Sequence, residues 1–70
     1  MYHMKTKIYI KVDTVGRYVT SVHGSIVNWD EGATAQAFSM ETAKDIMVWL
    51  LLNDYDCHLE IWDIFHEIKN

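Results

Sequence analysis

The chain has 70 residues, of which 50% are hydrophobic and 23% are charged, and its formal net charge at pH 7 is −4. A chain of this length buries only about 60% of the surface that its unfolded state exposes. This excludes a multidomain enzyme and disfavours a deep, walled active site. We therefore expect residues 1–70 to form a single domain, with much of its surface facing solvent or a partner.

The charge is distributed unevenly along the chain. Residues 1–52 carry five acids and five bases, whereas residues 53–70 carry five acids and one base. An acidic end disfavours direct contact with phosphates and favours a partner with a basic surface. The alternative is a solvated acidic edge that keeps a small domain soluble.

The cysteine content and the hydropathy pattern predict a cytoplasmic protein. One cysteine, Cys57, cannot form an internal disulfide, which is typical of a reducing compartment. The lysines near the N-terminus are not followed by the apolar core of a signal peptide. The longest apolar run, residues 46–52, is far shorter than the roughly 20 residues that span a bilayer. We expect no contact with membranes.

A period of two at the start of the chain predicts a half-buried strand followed by a hairpin. One face carries Thr6, Ile8, Ile10 and Val12, and the other carries Lys5, Lys7, Tyr9 and Lys11. Residues 13–16 have turn chemistry, and residues 17–23 predict a second strand that pairs with the first. A short, bent third strand over residues 25–29 is left open.

A helix is predicted over residues 40–52. Ser39 is a suitable N-cap, and Glu41 places a carboxylate in the first turn, where it complements the helix dipole. The residues expected to face the core are Ala43, Ile46, Met47 and Leu50. The apolar side chains expected to point away from the core are Val48, Trp49 and Leu52.

The last segment fits two structures. As a strand, Cys57, Leu59 and Ile61 alternate with polar or aromatic neighbours, and as a helix residues 57–69 also form an apolar stripe. The β-branched and aromatic content favours a strand. The predicted fold class is therefore α+β, with a small antiparallel sheet formed by the hairpin and the C-terminal strand, and with one helix packed on one face.

Catalytic and metal-binding constellations are not found in the sequence. Cys57 and His58 are adjacent, so on a strand they face opposite sides of the sheet. His58 and His66 lie too far apart on either a strand or a helix to bind one ion directly. The three glycines form no phosphate-binding loop. We expect no enzyme activity, no cofactor and no metal.

The basic face of the first strand permits a nucleic-acid contact. Lys5, Lys7 and Lys11 flank Tyr9, and such an arrangement can hold a single strand by charge and stacking. The alternative, which the acidic composition favours, is that the lysines protect a strand against aggregation. Nucleic-acid binding is therefore the second hypothesis.

Three tryptophans, four tyrosines and two phenylalanines are many for so small a core. Tryptophan and tyrosine anchor protein interfaces, so we predict a partner-binding patch at Trp49, Leu52 and Trp62, with Glu60 facing a basic partner. The alternative is that two tryptophans complete the core and the third shields the hairpin. The exposed apolar side of the helix further predicts a homodimer with Trp49 near its centre.

One segment resembles small phage and prophage accessory proteins. Their pattern is a hairpin, an Ala-x-x-Phe-Ser/Thr-x-Glu-x-Ala entry into a helix, and a returning strand. In this chain the matching segment is Ala35-Gln36-Ala37-Phe38-Ser39-Met40-Glu41-Thr42-Ala43, followed by Leu59-Glu60-Ile61-Trp62. The resemblance covers residues 7–65 and transfers no catalytic residue. It implies a mobile-element origin, the cytoplasm of the host cell, and an inhibitor of a host protein, for example an anti-CRISPR protein or another anti-defence protein.

Overall fold

A computed structural model describes the backbone of residues 2–67 and the side chains of residues 6–62. Within them the chain forms five strands and one helix in the order β1 Tyr2–Val12, β2 Arg17–Tyr18, β3 Ser21–His23, β4 Ile26–Asn28, α1 Met40–Leu52 and β5 Cys57–Glu67. The strands make two antiparallel sheets, one with the order β2-β1-β5 and one formed by β3 and β4. The predicted α+β class is confirmed.

The pairing of β1 with β5 is the longest contact of the fold. It runs without interruption from Tyr2 opposite Glu67 to Val12 opposite Cys57. Residues 57–67 therefore form a strand, as the β-branched and aromatic content of this segment indicated. On its other side, β1 pairs with β2 and with the segment before the helix, where the backbone N–H of Phe38 donates to the carbonyl of Ile8 at 2.9 Å.

The predicted second strand over residues 17–23 is wrong as a single strand. Only Arg17 and Tyr18 pair with β1, and the chain then leaves this sheet at Val19. The N–H of Val19 donates to the carbonyl of Ile10 at 2.9 Å, while the N–H of Thr20 donates to the carbonyl of Asn28 at 2.8 Å. Val19 is fully buried and forms the corner between the two sheets, so residues 21–23 pair with β4 instead.

Helix α1 has the predicted bounds and the predicted N-cap. The Ser39 side chain accepts a hydrogen bond from the N–H of Thr42 at 3.2 Å, and Glu41 lies in the first turn. After the helix, Asp54 adopts a positive φ of 65°, and the N–H of Tyr55 donates back to the carbonyl of Leu50 at 2.9 Å. This tight exit directs the chain into β5.

The core lies between α1 and one face of the three-stranded sheet. Its buried members are Ile8, Ile10, Val12, Val19, Ala43, Ile46 and Leu50. Half-buried side chains packed against them include Trp29, Met47, Trp49 and Leu59. Among the described side chains on this face of β1, Thr6 is exposed and Ile8 is the first that is buried.

Leu50 and Leu52 provide a matched test of the helix orientation. Leu50 is fully buried, whereas the exposed fraction of Leu52 is 78%. Leu50→Ala should lower the free energy of unfolding by about 2–5 kcal/mol because it leaves a cavity in the core. A domain of this size has only roughly 4–10 kcal/mol in total.

Urea unfolding followed by circular dichroism measures both variants. At a protein concentration low enough to keep the chain monomeric, Leu52→Ala should change the free energy of unfolding by less than about 0.5 kcal/mol. Equal losses in the two variants would contradict the orientation of the helix described above.

Candidate functional site

The face of the three-stranded sheet opposite the helix, here called the outer face, collects the polar and aromatic side chains of β1, β2 and β5. Because side chains alternate along a strand and Ile8 and Ile10 face the helix, Tyr9 points to the outer face. The antiparallel register adds neighbours from both sides of β1. The described side chains on this face are Lys7, Tyr9, Lys11, Tyr18, His58, Glu60 and Trp62.

Three rings on the outer face form what we call the aromatic cleft: Tyr9, Tyr18 and Trp62. The Tyr9 ring lies edge-to-face with Tyr18, at 6.4 Å between centroids and 77° between planes, and with Trp62, at 6.2 Å and 86°. Thr34 and Ala35 complete the lining of an open cleft of about 280 Å³. Edge-to-face contacts of this kind fix the rings relative to one another.

Glu60 is the acceptor that holds two of these rings. Its Oε1 accepts a hydrogen bond from the hydroxyl of Tyr18 at 2.6 Å and a second from the indole Nε1–H of Trp62 at 3.3 Å. The hydrogen bonds from Tyr18 and then His58 hold the pKa of the Glu60 carboxyl below its ordinary value. The hydrogen bond to Glu60 in turn raises the pKa of the Tyr18 hydroxyl.

His58 lies between two carboxylates. Its Nδ1 is 2.8 Å from Oδ2 of Asp13, and its Nε2 is 3.0 Å from Oε2 of Glu60. Both ring nitrogens can donate at once only in the imidazolium form. Accordingly, the hydrogen bond to Asp13, followed by that to Glu60, raises the pKa of His58.

The turn after β1 brings Asp13 to this position. The N–H of Asp13 donates to the carbonyl of Asp56 at 2.7 Å, and the N–H of Asp56 donates to the Thr14 hydroxyl at 2.8 Å. These two bonds join the end of β1 to the start of β5. They therefore place the Asp13 carboxylate beside His58 without relying on side-chain packing.

Cys57 and His58 do not form a thiol–imidazole pair. The Cys57 sulfur faces the helix, 4.0 Å from the carbonyl oxygen of Met47, while His58 lies on the outer face. Burial, followed by the nearby carboxylates of Asp13 and Asp56, raises the pKa of the Cys57 thiol. A thiol with a raised pKa is a weak nucleophile at neutral pH.

The structure separates the predicted partner-binding residues into two groups. Trp62 and Glu60 lie on the outer face and are in contact. Trp49 and Leu52 lie on the helix, on the other side of the sheet, where Trp49 is half-buried against the core. The expectation that Trp49 points away from the core is wrong, because Trp49 packs against the core cluster, as do Val22 and Val27 of the β3–β4 hairpin.

A second apolar surface lies on the helix. We call it the helix patch, and it consists of Val48, Leu51 and Leu52, with exposed fractions of 56%, 55% and 78%. Trp29 instead packs on Tyr55, at 4.9 Å between ring centroids, and on the core. Two tryptophans thus belong to the core side, whereas 54% of Trp62 remains exposed.

The predicted basic strand is largely present on the outer face. Lys7, Tyr9 and Lys11 share it, and the Lys11 ammonium lies 5.4 Å from the centroid of the Tyr18 ring. The side chain of Lys5 lies outside the described residues. Sequence reasoning missed Tyr18, His58 and Asp13, although pairing the hairpin strands in register would have placed Tyr18 opposite Lys11.

The described residues contain neither a membrane-spanning helix nor a cluster of metal ligands. No helix in them is both long and apolar enough to cross a membrane, and no group of three or more His, Cys, Asp or Glu residues could hold a metal ion.

Comparison with known protein families, with curated proteins and with solved structures gives no match. The resemblance to phage accessory proteins therefore stays a prediction.

The carboxylates around His58 make a pH-dependent contribution to stability. Because the pKa of His58 is raised in the folded state, this stabilisation is fully present below the unfolded pKa of about 6.5. It is lost as the pH rises through the folded-state pKa. Asp13→Asn should lower the pKa of His58 measured by an NMR titration.

Asp45→Asn, on the helix at the other side of the sheet, is the matched control and should leave the His58 midpoint in place. An unchanged His58 midpoint in Asp13→Asn would contradict the assigned contact.

Proposed function

We propose that this chain is a small, non-enzymatic protein-binding module whose contact surface is the outer face, with the aromatic cleft at its centre. The observation that carries the proposal is the exposure of Trp62. Its exposed fraction is 54%, although its ring is held by contacts with Glu60 and Tyr9. Exposed tryptophans and tyrosines contribute a large share of the binding energy of protein interfaces.

The aromatic cleft is ordered before any partner binds. Trp62 donates to Glu60 and packs edge-to-face on Tyr9, and Tyr18 donates to the same carboxylate. Side chains that are already held in place lose little conformational entropy on binding, which favours affinity.

The cleft is bordered by charged groups of both signs. Asp13, His58 and Glu60 form one chain of contacts beside it, and Lys7 and Lys11 lie along β1. An apolar centre with a polar border is the usual anatomy of a protein interface. The acidic end of the chain adds attraction for a basic partner surface.

The proposal extends to the class of target. The resemblance of the helix entry to phage accessory proteins favours a host protein as the partner, in the host cytoplasm, and inhibition of that protein as the effect. A CRISPR effector or another defence protein is an example of such a target.

A second candidate function is the binding of single-stranded nucleic acid. It is favoured by the presence of Lys7 and Lys11 on the same face as the three rings, which allows base stacking beside backbone contacts. Fluorescence anisotropy with labelled oligonucleotides tests it. Binding at low salt that weakens steeply as salt is added would favour this function.

Capture of partners from a host lysate by three forms of the protein tests the proposed function. The wild type should retain a partner that Trp62→Ser loses and Leu52→Ser keeps, because both serine variants remove an exposed apolar side chain but only Trp62 lies in the cleft. Quantitative mass spectrometry reads the difference. Urea unfolding verifies that both variants fold.

Equal retention by all three forms would assign the contact to another surface. Loss of the partner in Trp62→Ser alone would place the contact on the outer face, and its loss in Leu52→Ser alone would place the contact on the helix patch.

We further propose that two copies pair through the helix patch about a two-fold axis. Complete burial of one large apolar side chain would stabilise the dimer by about 1.5–3 kcal/mol, and the helix patch contains three such side chains. Light scattering should give twice the 8.2 kDa mass of one chain. Leu52→Glu should restore the monomer.

Ile26→Glu is the matched control, since Ile26 is 61% exposed at the edge of the β3–β4 hairpin and lies outside the patch. The mass of a single chain at high micromolar concentration would contradict the dimer.

A further inference from the structure

We propose that the aromatic cleft takes the cationic side chain of a lysine or arginine from the partner protein. This inference rests on the proposed protein-binding function and names the group that the cleft recognises. It is carried by the size of the cleft, the arrangement of its rings and the carboxylate that is hydrogen-bonded to two of them.

The size of the cleft matches one side chain. Its volume of about 280 Å³ is just below the roughly 300–1,000 Å³ that small-molecule sites occupy. It is open to solvent and is lined by Tyr9, Tyr18 and Trp62 together with the small side chains Thr34 and Ala35. A long, narrow side chain with a terminal group can enter such a space between the rings.

The rings offer π-surfaces to that terminal group. Tyr18 and Trp62 both direct their polar hydrogens to Glu60, so these donors are already used. A phenol and an indole that donate to a carboxylate are polarised toward greater electron density on the ring, which strengthens the attraction for a cation. A ligand rich in hydrogen-bond acceptors would find these two donors occupied.

The structure contains one cation–π contact on this surface. The Lys11 ammonium lies 5.4 Å from the centroid of the Tyr18 ring, within the distance at which such contacts are favourable. Glu60 supplies a negative charge at the polar edges of Tyr18 and Trp62, where it accepts a hydrogen bond from each. Aromatic rings combined with a carboxylate are complementary to an ammonium or guanidinium group.

The test compares a cation with an uncharged molecule of the same shape. Choline and 3,3-dimethylbutan-1-ol differ in one atom, nitrogen against carbon, and hence in charge. NMR titration of the isotope-labelled protein follows the indole N–H of Trp62, with the indole N–H of Trp49 as an internal control. Choline should bind in the millimolar range and about two- to fivefold more tightly than the alcohol, as expected for an exposed cation–π site.

Three variants assign the effect to the cleft. Trp62→Leu removes a π-surface but keeps apolar bulk, and it should abolish the preference for choline, which is followed in this variant by the ring protons of Tyr9 and Tyr18. Glu60→Gln keeps an acceptor for Tyr18 but removes the charge, and it should weaken the binding of choline while leaving that of the alcohol unchanged. Ile26→Ser, on the β3–β4 hairpin and outside both apolar surfaces, should bind as the wild type does.

Several results would overturn the inference. Equal binding of choline and the alcohol would make the cleft a purely apolar site, and the absence of any shift at Trp62 would exclude it as a cation site. A single-stranded oligonucleotide that shifts Trp62 more strongly than choline does would assign the face to nucleic acid. If choline does not bind but Trp62→Ser still loses the captured partner, the proposed protein-binding function stands and only the inference of a cation site is wrong.

Discussion

The uninterrupted antiparallel pairing of β1 with β5 is the constraint on which the rest of the structure depends. It pairs β1, near the start of the chain, with β5, near its end. Residues that are opposite each other in this register place their side chains on the same face of the sheet. Because the register is continuous, Ile8 and Ile10 lie on one face together with Leu59, while Tyr9 lies on the other with Glu60. A shift of one residue would move each set to the wrong face.

The same pairing concentrates ionisable groups on the outer face. Glu60 contacts Tyr18, His58 and Trp62, which come from two different strands, and Asp13 closes the chain of contacts from the turn. The state of one group is therefore coupled to the others: the hydrogen bond to Glu60 raises the pKa of Tyr18, and the hydrogen bonds to Asp13 and then to Glu60 raise the pKa of His58. The geometry of the aromatic cleft depends on this single carboxylate, since it accepts hydrogen bonds from two of the three rings.

The small size of the domain explains why it keeps two separate apolar surfaces. One helix can cover only one face of a three-stranded sheet, so the outer face carries the aromatic cleft. The helix itself is covered on one side by the sheet and is flanked by the β3–β4 hairpin near Trp49, which leaves the helix patch exposed. Two such surfaces on opposite sides of the sheet permit contact with a partner and pairing of two copies at the same time.

Local patterns in the sequence were sufficient to predict the first strand, the helix over residues 40–52 with its Ser39 cap, and the α+β class. Each of these depends on residues a few positions apart. Tertiary structure alone decided that the chain leaves the first sheet at Val19, that Trp49 packs on the core, and that Tyr18 and Trp62 border the same cleft. These outcomes depend on hydrogen bonds and packing between residues distant in sequence. The periodicity of one segment does not specify which other segment it meets.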